Sequence, residues 1–186
     1  MNELLKVVKK TIEKYQMIVP GDLVIAAVSG GPDSLTMLHV LKELRICLNF
    51  KLHVAHVDHS FRGKEAVAEA RWVKETAEKW NLPCTLTKVN VPAIAREKGI
   101  SAQEAGHLIR KKFFLDLLKK IGAQKIALGH QADDQAETVL MHFLVGAGLE
   151  GLQGLVPQNG PLIRPLLFLR RQEIEAYCRT NYLEPR

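Results

Sequence analysis

The residues of this chain that could do chemistry fall in three polar segments, and the first is Ser29-Gly30-Gly31-Pro32-Asp33-Ser34. Paired glycines let the backbone turn sharply and bring its N–H groups close to an anion. Ser29 and Ser34 add hydroxyl donors. An apolar run, Leu23–Val28, leads in, and helix-like Leu35–Leu41 leads out. An anion here would meet a helix N-terminus and its partial positive charge. A phosphate or pyrophosphate suits such a place. Asp33 would repel a bare phosphate, which implies a bridging Mg²⁺. The competing reading is plain turn chemistry, with Asp33 or Ser34 capping the next helix. Neither the Walker A spacing nor the Gly-x-Gly-x-x-Gly fingerprint occurs.

The second segment, Gly129-His130-Gln131-Ala132-Asp133-Asp134, brings a histidine and paired carboxylates to a helix start. Such oxygen ligands suit Mg²⁺ bound jointly with phosphates. Carboxylates that merely meet the helix dipole are the alternative. Glu137 reads as an exposed helix residue. The third segment is His56-Val57-Asp58-His59, with Arg62-Gly63 close behind. These side chains could ligate a metal or make turn hydrogen bonds; zinc is disfavoured because no third nitrogen or sulfur ligand is nearby. A place beside the first strand suggests contact with a base or ribose. His39, His53, His107 and His142 fall in helix or strand patterns and read as structural or surface residues.

The positioning elements follow from hydrophobic periodicity. Residues 3–16 form an amphipathic helix with Leu4, Leu5, Val8, Ile12 and Tyr15 on one face. Strands are expected at 23–28, 51–57, 84–89 and 125–128. Helices are expected at about 34–45, 65–80, 101–121, 133–145 and 171–181. Ser101-Ala102-Gln103-Glu104 matches the capping box. Gly146, Gly148, Gly151 and Gly154 mark a glycine-rich stretch. Strand and helix alternate, so the fold class is α/β, a doubly wound parallel sheet with helices on both faces. Right-handed crossovers favour the strand order 3-2-1-4. Strands one and four are then neighbours at the topological switch point, and the first two polar segments face one crevice.

Composition sets wider bounds. The chain is 47% hydrophobic and 25% charged, ordinary for a globular protein. Its length suits one α/β domain. No apolar run of about 18 residues occurs, so no membrane span is expected. Met1–Lys6 lacks a signal-peptide pattern. Three cysteines, Cys47, Cys84 and Cys178, form no Cys-x-x-Cys pair, which points to a reducing cytoplasm without structural zinc or iron–sulfur. A net charge of +6 fits an anionic partner. Arg110, Lys111, Lys112, Lys119, Lys120 and Lys125 form a basic cluster opposed by Asp116; nucleic-acid contact competes there with a solvated helix face.

Taken together, the motifs carry a resemblance. Ser29–Ser34 resembles the Ser-Gly-Gly-x-Asp-Ser loop of the N-type ATP pyrophosphatases, which cleave ATP between its α and β phosphates to adenylate a substrate. The His56–His59 and Arg62-Gly63 segments narrow the match, as do Glu104–Phe114, Gly129–Thr138 and Arg164-Pro165-Leu166-Leu167 with Arg171, Ile174, Glu175 and Tyr177. In this order they resemble the tRNA(Ile)-lysidine synthetases over nearly all 186 residues. A tRNA cytidine thiolase is related, but its cysteine pair is missing here.

The resemblance implies a Rossmann-like sheet of the PP-loop, adenine nucleotide alpha hydrolase type, and a single ATP-binding catalytic domain over residues 1–186. The substrates implied are ATP with Mg²⁺, free L-lysine and an isoleucine tRNA with a wobble cytidine; a homodimer is compatible. The implied chemistry has two steps. Cytidine O2 attacks the α-phosphate and pyrophosphate leaves; the lysine ε-amine then attacks C2 and AMP leaves. By the family pattern Ser29, Gly30, Gly31, Pro32 and Ser34 cradle the pyrophosphate, with His56, Asp58 and Gly129 also on ATP. Asp33 with Asp133 or Asp134 holds Mg²⁺. His130 and Arg110 meet the α-phosphate, and Asp134 helps deprotonate lysine. The alternatives are a nucleotide-binding module, a thiolase-like adenylase and a metal-dependent phosphohydrolase. The chain departs from the pattern at His107, His142, Val145 and Glu150, where family members carry arginine, and at Lys111, where they carry tyrosine. It also ends before the downstream tRNA-binding region of the family, so weak, salt-sensitive tRNA binding is expected.

Overall fold

The computed structural model describes residues 2–58, 64–144 and 154–186. The expectations placed on His59, Arg62, Gly63, Val145, Gly146, Gly148, Glu150 and Gly151 lie outside the described residues.

Helix α1 (Glu3–Lys14) starts where the Asn2 side chain accepts a hydrogen bond from the Leu4 N–H at 3.0 Å, and it buries Leu4, Val8 and Ile12. Strand β1 (Leu23–Ala27) then enters the centre of the sheet. It is followed by α2 (Pro32–Leu44), β2 (Lys51–Asp58), α3 (Lys64–Lys79) and β3 (Cys84–Lys88). Next come α4 (Val91–Lys98), α5 (Ala102–Ile121), β4 (Lys125–Ala127) and α6 (Ala132–Leu144). The chain closes with β5 (Gln158–Asn159), β6 (Leu162–Ile163) and α7 (Arg171–Thr180). The Ser101 hydroxyl caps α5 by accepting from the Glu104 N–H at 3.1 Å.

The sheet order is β3-β2-β1-β4-β6-β5, so the expected 3-2-1-4 arrangement holds and is extended by two strands. β1 lies parallel to both β2 and β4, with Ala26 opposite Val54 and Ala127. β6 continues the parallel run beside β4, while β5 is antiparallel to β6 and makes the sheet mixed. That hairpin has two residues per strand, too short for a periodicity to register. Helix α4 also went unforeseen, although Asn90 caps it and Pro92 stands in its first turn, both start signals.

Side chains alternate across each strand. Val24, Ala26, Leu52 and Val54 face α1, α2, α3 and α7, where Val8, Met37, Leu38, Val73 and Ile174 complete one core layer. Ile25, Ala55, Val57 and Ile126 face the other way and meet Phe114 and Leu117 of α5. Helices therefore cover both faces, as a buried parallel sheet requires. Among the described residues no helix is long and apolar enough to cross a membrane.

Candidate active site

The crevice opens at the carboxyl ends of β1 and β4. Gly30 takes φ +89°, a conformation side chains resist, and this turns the chain out of the sheet. Gly31 caps α2 and Pro32 begins it. The Ser34 hydroxyl closes the turn: it accepts from the Ser29 N–H at 3.1 Å, lies 3.1 Å from the Ser29 hydroxyl, and donates to the Gly31 carbonyl at 3.0 Å. The N–H groups of Asp33 and Ser34 lie in the first helical turn, where no intrahelical acceptor exists. They are the natural donors for a phosphate.

Gly129 brings the second segment against this turn. A Cβ there would sit 3.0 Å from the Ser34 nitrogen and 3.1 Å from its Cα. Only a residue without a side chain lets β4 end so near the start of α2. Beyond it, Gln131 and Asp134 cap α6 reciprocally: Asp134 Oδ2 accepts from the Gln131 N–H at 2.9 Å, and Gln131 Oε1 accepts from the Asp133 N–H at 2.8 Å. The capping role is thus real, and it engages one Asp134 oxygen.

Asp33 sets the electrostatics of the crevice. Its Oδ1 is buried with no hydrogen-bond partner. Burial pushes its carboxyl up, and the neighbouring charges of Asp134 and Asp133 push the same way. A buried orphan oxygen amid like charges suits a divalent cation. Yet among the described residues no group of three or more His, Cys, Asp or Glu side chains could hold an ion by itself. Phosphate oxygens would have to complete the shell, as Mg²⁺ sites commonly require.

His130 is neutral by construction. Burial holds its imidazole below the ordinary 6.5, and the Arg164 guanidinium adds to this. Arg164 Nε donates to His130 Nδ1 at 3.1 Å, so Nε2 carries the ring proton. Arg164 is itself buried and donates to the Val156 carbonyl at 2.7 Å. The charges of Arg110 and His107, one turn apart on α5, also reach His130. Arg164 is the partner that sequence reasoning missed. It stood in a quoted motif, but its pairing with His130 crosses 34 residues and depends on β6 lying beside β4.

The third segment is more deeply placed than a binding loop. His56 is 3% exposed, and its Nδ1 donates to the Val28 carbonyl at 2.8 Å, tying β2 to the last residue before the glycine turn. Its Nε2 is buried without a partner. Asp58 is also buried. Two histidines set aside as structural behave so: His39 bonds Tyr177 at 2.9 Å and His53 bonds Thr85 at 2.8 Å.

A glycine turn, a helix N-terminus and an orphan carboxylate oxygen beside the end of β4 form one polar crevice, and the PP-loop domain model matches residues 3–184. The chain belongs to the PP-loop domain family. It is 44% identical over 183 residues to the tRNA(Ile)-lysidine synthase of Caldanaerobacter subterraneus subsp. tengcongensis, covering 98% of this chain and 39% of that one. It is 45% identical over 176 residues to that of Clostridium perfringens strain 13, covering 94% and 38%. The chain thus spans about two fifths of the length of the curated relatives it matches. Among solved structures, the U34-tRNA thiolase NcsA from Methanococcus maripaludis superposes with a TM-score of 0.82 at 21% identity, over 99% of this chain and 65% of that one. The NH3-dependent NAD synthetase from Campylobacter jejuni gives 0.61 at 16% identity, over 98% and 75%. At these identities the two structures speak for the fold.

Proposed function

We propose that this PP-loop chain carries the ATP-binding and adenylation site of a tRNA(Ile)-lysidine synthase. The observation that carries the reading is the close approach of Gly129 to the first turn of α2, which joins the phosphate turn to His130 and Asp134 in one crevice. The likeness to the lysidine synthases supports an isoleucine tRNA as substrate, and ATP and free L-lysine complete the proposed set.

The residues divide the work. Backbone N–H groups of Gly30, Gly31, Asp33 and Ser34 hold the β and γ phosphates, and the α2 dipole favours their charge. Asp33 with Asp133 or Asp134 would hold Mg²⁺, which would supply charge neutralisation to the pyrophosphate. His130 Nε2–H and Arg110 meet the α-phosphate. His56 and Asp58 fix the carboxyl end of β2 on the nucleoside side. Cytidine O2 forms its bond to the α-phosphorus as the bond to the β-phosphate bridge breaks. The lysine ε-amine then forms the C–N bond, AMP leaves with the oxygen, and Asp134 takes the amine proton. A cytoplasmic setting agrees with three cysteines that form no disulfide.

A thiolase-like reading is weaker. The Cys84 thiol is pushed up to about 11, mainly by burial, and Cys178 is pushed up by burial as well. Neither offers a thiolate. A phosphohydrolase would want a denser ligand set than Asp33 and its neighbours provide. Product analysis with ATP, Mg²⁺, lysine and isoleucine tRNA is the test. AMP and pyrophosphate are expected; ADP and phosphate would overturn the ligase reading, and ATP binding without turnover would leave a nucleotide-binding module.

A further inference from the structure

Helix α7 lies across the start of α2, and its spacing is informative. Cys178 Sγ is 3.1 Å from the Thr36 hydroxyl and 4.0 Å from the Pro32 carbonyl. Tyr177 bonds His39 at 2.9 Å. These interactions fix the roll of α7. Residues 171, 175 and 178 then share one face, at i, i+4 and i+7, and that face looks onto the first turn of α2. Arg171 Nε donates to Glu175 Oε1 at 3.1 Å, which holds the guanidinium on this side. Its Nη groups make no hydrogen bond among the described residues, and the side chain is 61% exposed.

The surrounding charges are mostly negative. Asp134, Asp133 and Glu175 all act on Asp33, and the cation that acts on it is Arg171. Glu69 lies over the turn, where a Cβ at Gly30 would come within 3.2 Å of its carboxylate oxygen. A triphosphate entering here adds several more negative charges. A guanidinium with free, planar donors is the group suited to meet them.

We propose that Arg171, held in place by Glu175, is a phosphate-binding residue on the Asp33 side of the crevice, meeting the β and γ phosphates and not the adenosine. The inference rests on the nucleotide reading above. It assigns α7 a share in the site, with the Thr36–Cys178 and His39–Tyr177 pairs positioning it.

Calorimetry with MgATP, Mg-pyrophosphate and AMP separates the two levels. Wild type should bind all three. R171A should weaken MgATP and pyrophosphate about tenfold and leave AMP within about twofold. R171K should fall between, because it keeps the charge and loses the fork. E175Q should move MgATP affinity less than R171A does, because loss of the tether and loss of a neighbouring negative charge oppose each other. A melting scan checks that each variant is folded, as an exposed position allows. Unchanged MgATP affinity in R171A, or an equal loss for AMP, overturns this assignment alone. Wild type that binds no MgATP overturns the nucleotide reading and this assignment with it.

Discussion

The two walls of the crevice are built differently. On the β1–α2 wall the turn is clasped by Ser34, pinned by His56 and backed by a helix in which Leu35, Met37, Leu38, Val40, Leu41 and Leu44 are all buried. On the opposite wall α6 has no buried side chain at all. Leu140, Met141, Phe143 and Leu144 are exposed, and behind the helix lies an open apolar cleft of ≈ 350 Å³ between Tyr15, Gln135, Val156 and Phe168. The start of α6 is anchored through the Gln131–Asp134 cap, the Ala132 N–H on the Leu169 carbonyl at 2.8 Å and Gln135 Oε1, which accepts from the Leu155 N–H, with Gly154 lying against Val139 one turn on. A preorganised cradle binds phosphate without reordering. A helix anchored mainly near its start keeps Asp133 and Asp134 in register while its exposed last turn contributes little to stability.

That contrast can be broken by experiment. The largest effect is expected at Asp134. D134N keeps the size and one acceptor oxygen but removes the basicity, so lysine incorporation should drop by at least about 10²-fold while MgATP affinity falls modestly. Near-normal incorporation would remove the base assignment, whereas a collapse of ATP binding would make Asp134 a metal holder only.

Next in size is the seam between the walls. G129A forces a methyl group onto the Ser34 amide, and overpacking of this kind costs about 1–3 kcal/mol. MgATP affinity should fall about tenfold or more, because the added carbon crowds the Ser34 amide proposed to hold phosphate. Binding at wild-type strength would show that the strands spread easily and that the close approach is incidental.

The basic face of α5 should give a weaker signal. Filter binding of isoleucine tRNA to residues 1–186 should show dissociation constants of roughly 10⁻⁴–10⁻⁶ M at physiological salt, with little preference over other tRNAs. Removing one phosphate-neutralising lysine, as in K111A or K112A, should flatten the salt slope by about 0.7–0.9. Tight, salt-insensitive, isoleucine-specific binding would mean that this domain reads the anticodon unaided.

Acid should act on the fold in a defined direction. His39, His53 and His130 are all held below the ordinary 6.5 in the folded chain, chiefly by burial. Above 6.5 both states are neutral at these sites and their contribution is complete. As the pH drops below it the unfolded chain takes protons first, so stability falls. Asp33 works in the opposite sense, because its raised carboxyl takes a proton more readily when folded, so its part is lost as the pH rises from 3.8. Melting scans from about pH 7 to about pH 5 should show the loss, and H130Q should flatten it. A flat profile would mean that these rings are more hydrated than their burial implies.

The smallest effect belongs to the loose wall. F143S alters a side chain that is 69% exposed and should change stability by less than about 0.5 kcal/mol. L38A, on the packed wall, should cost about 2–5 kcal/mol. Comparable losses would mean that the apolar face of α6 is covered in solution.

Much of this arrangement was readable from residue order. The period-2 and period-3.6 runs located β1 to β4 and most helices, because amphipathic elements must present one face to a core. Chirality of parallel crossovers then placed β1 beside β4, and with it the glycine turn opposite His130 and Asp134. Local chemistry decided the glycine turn and the Ser101 cap, since both depend on neighbours within a few residues. Pairings between distant residues were decided by the tertiary structure alone. The β5–β6 hairpin is too short to carry a pattern, yet it delivers Arg164 to His130 and so fixes which ring nitrogen holds the proton. The roll of α7 over α2 rests on Cys178 meeting Thr36 across 142 residues. Such pairings depend on where whole elements dock, a property of packed surfaces that no local run of residues encodes.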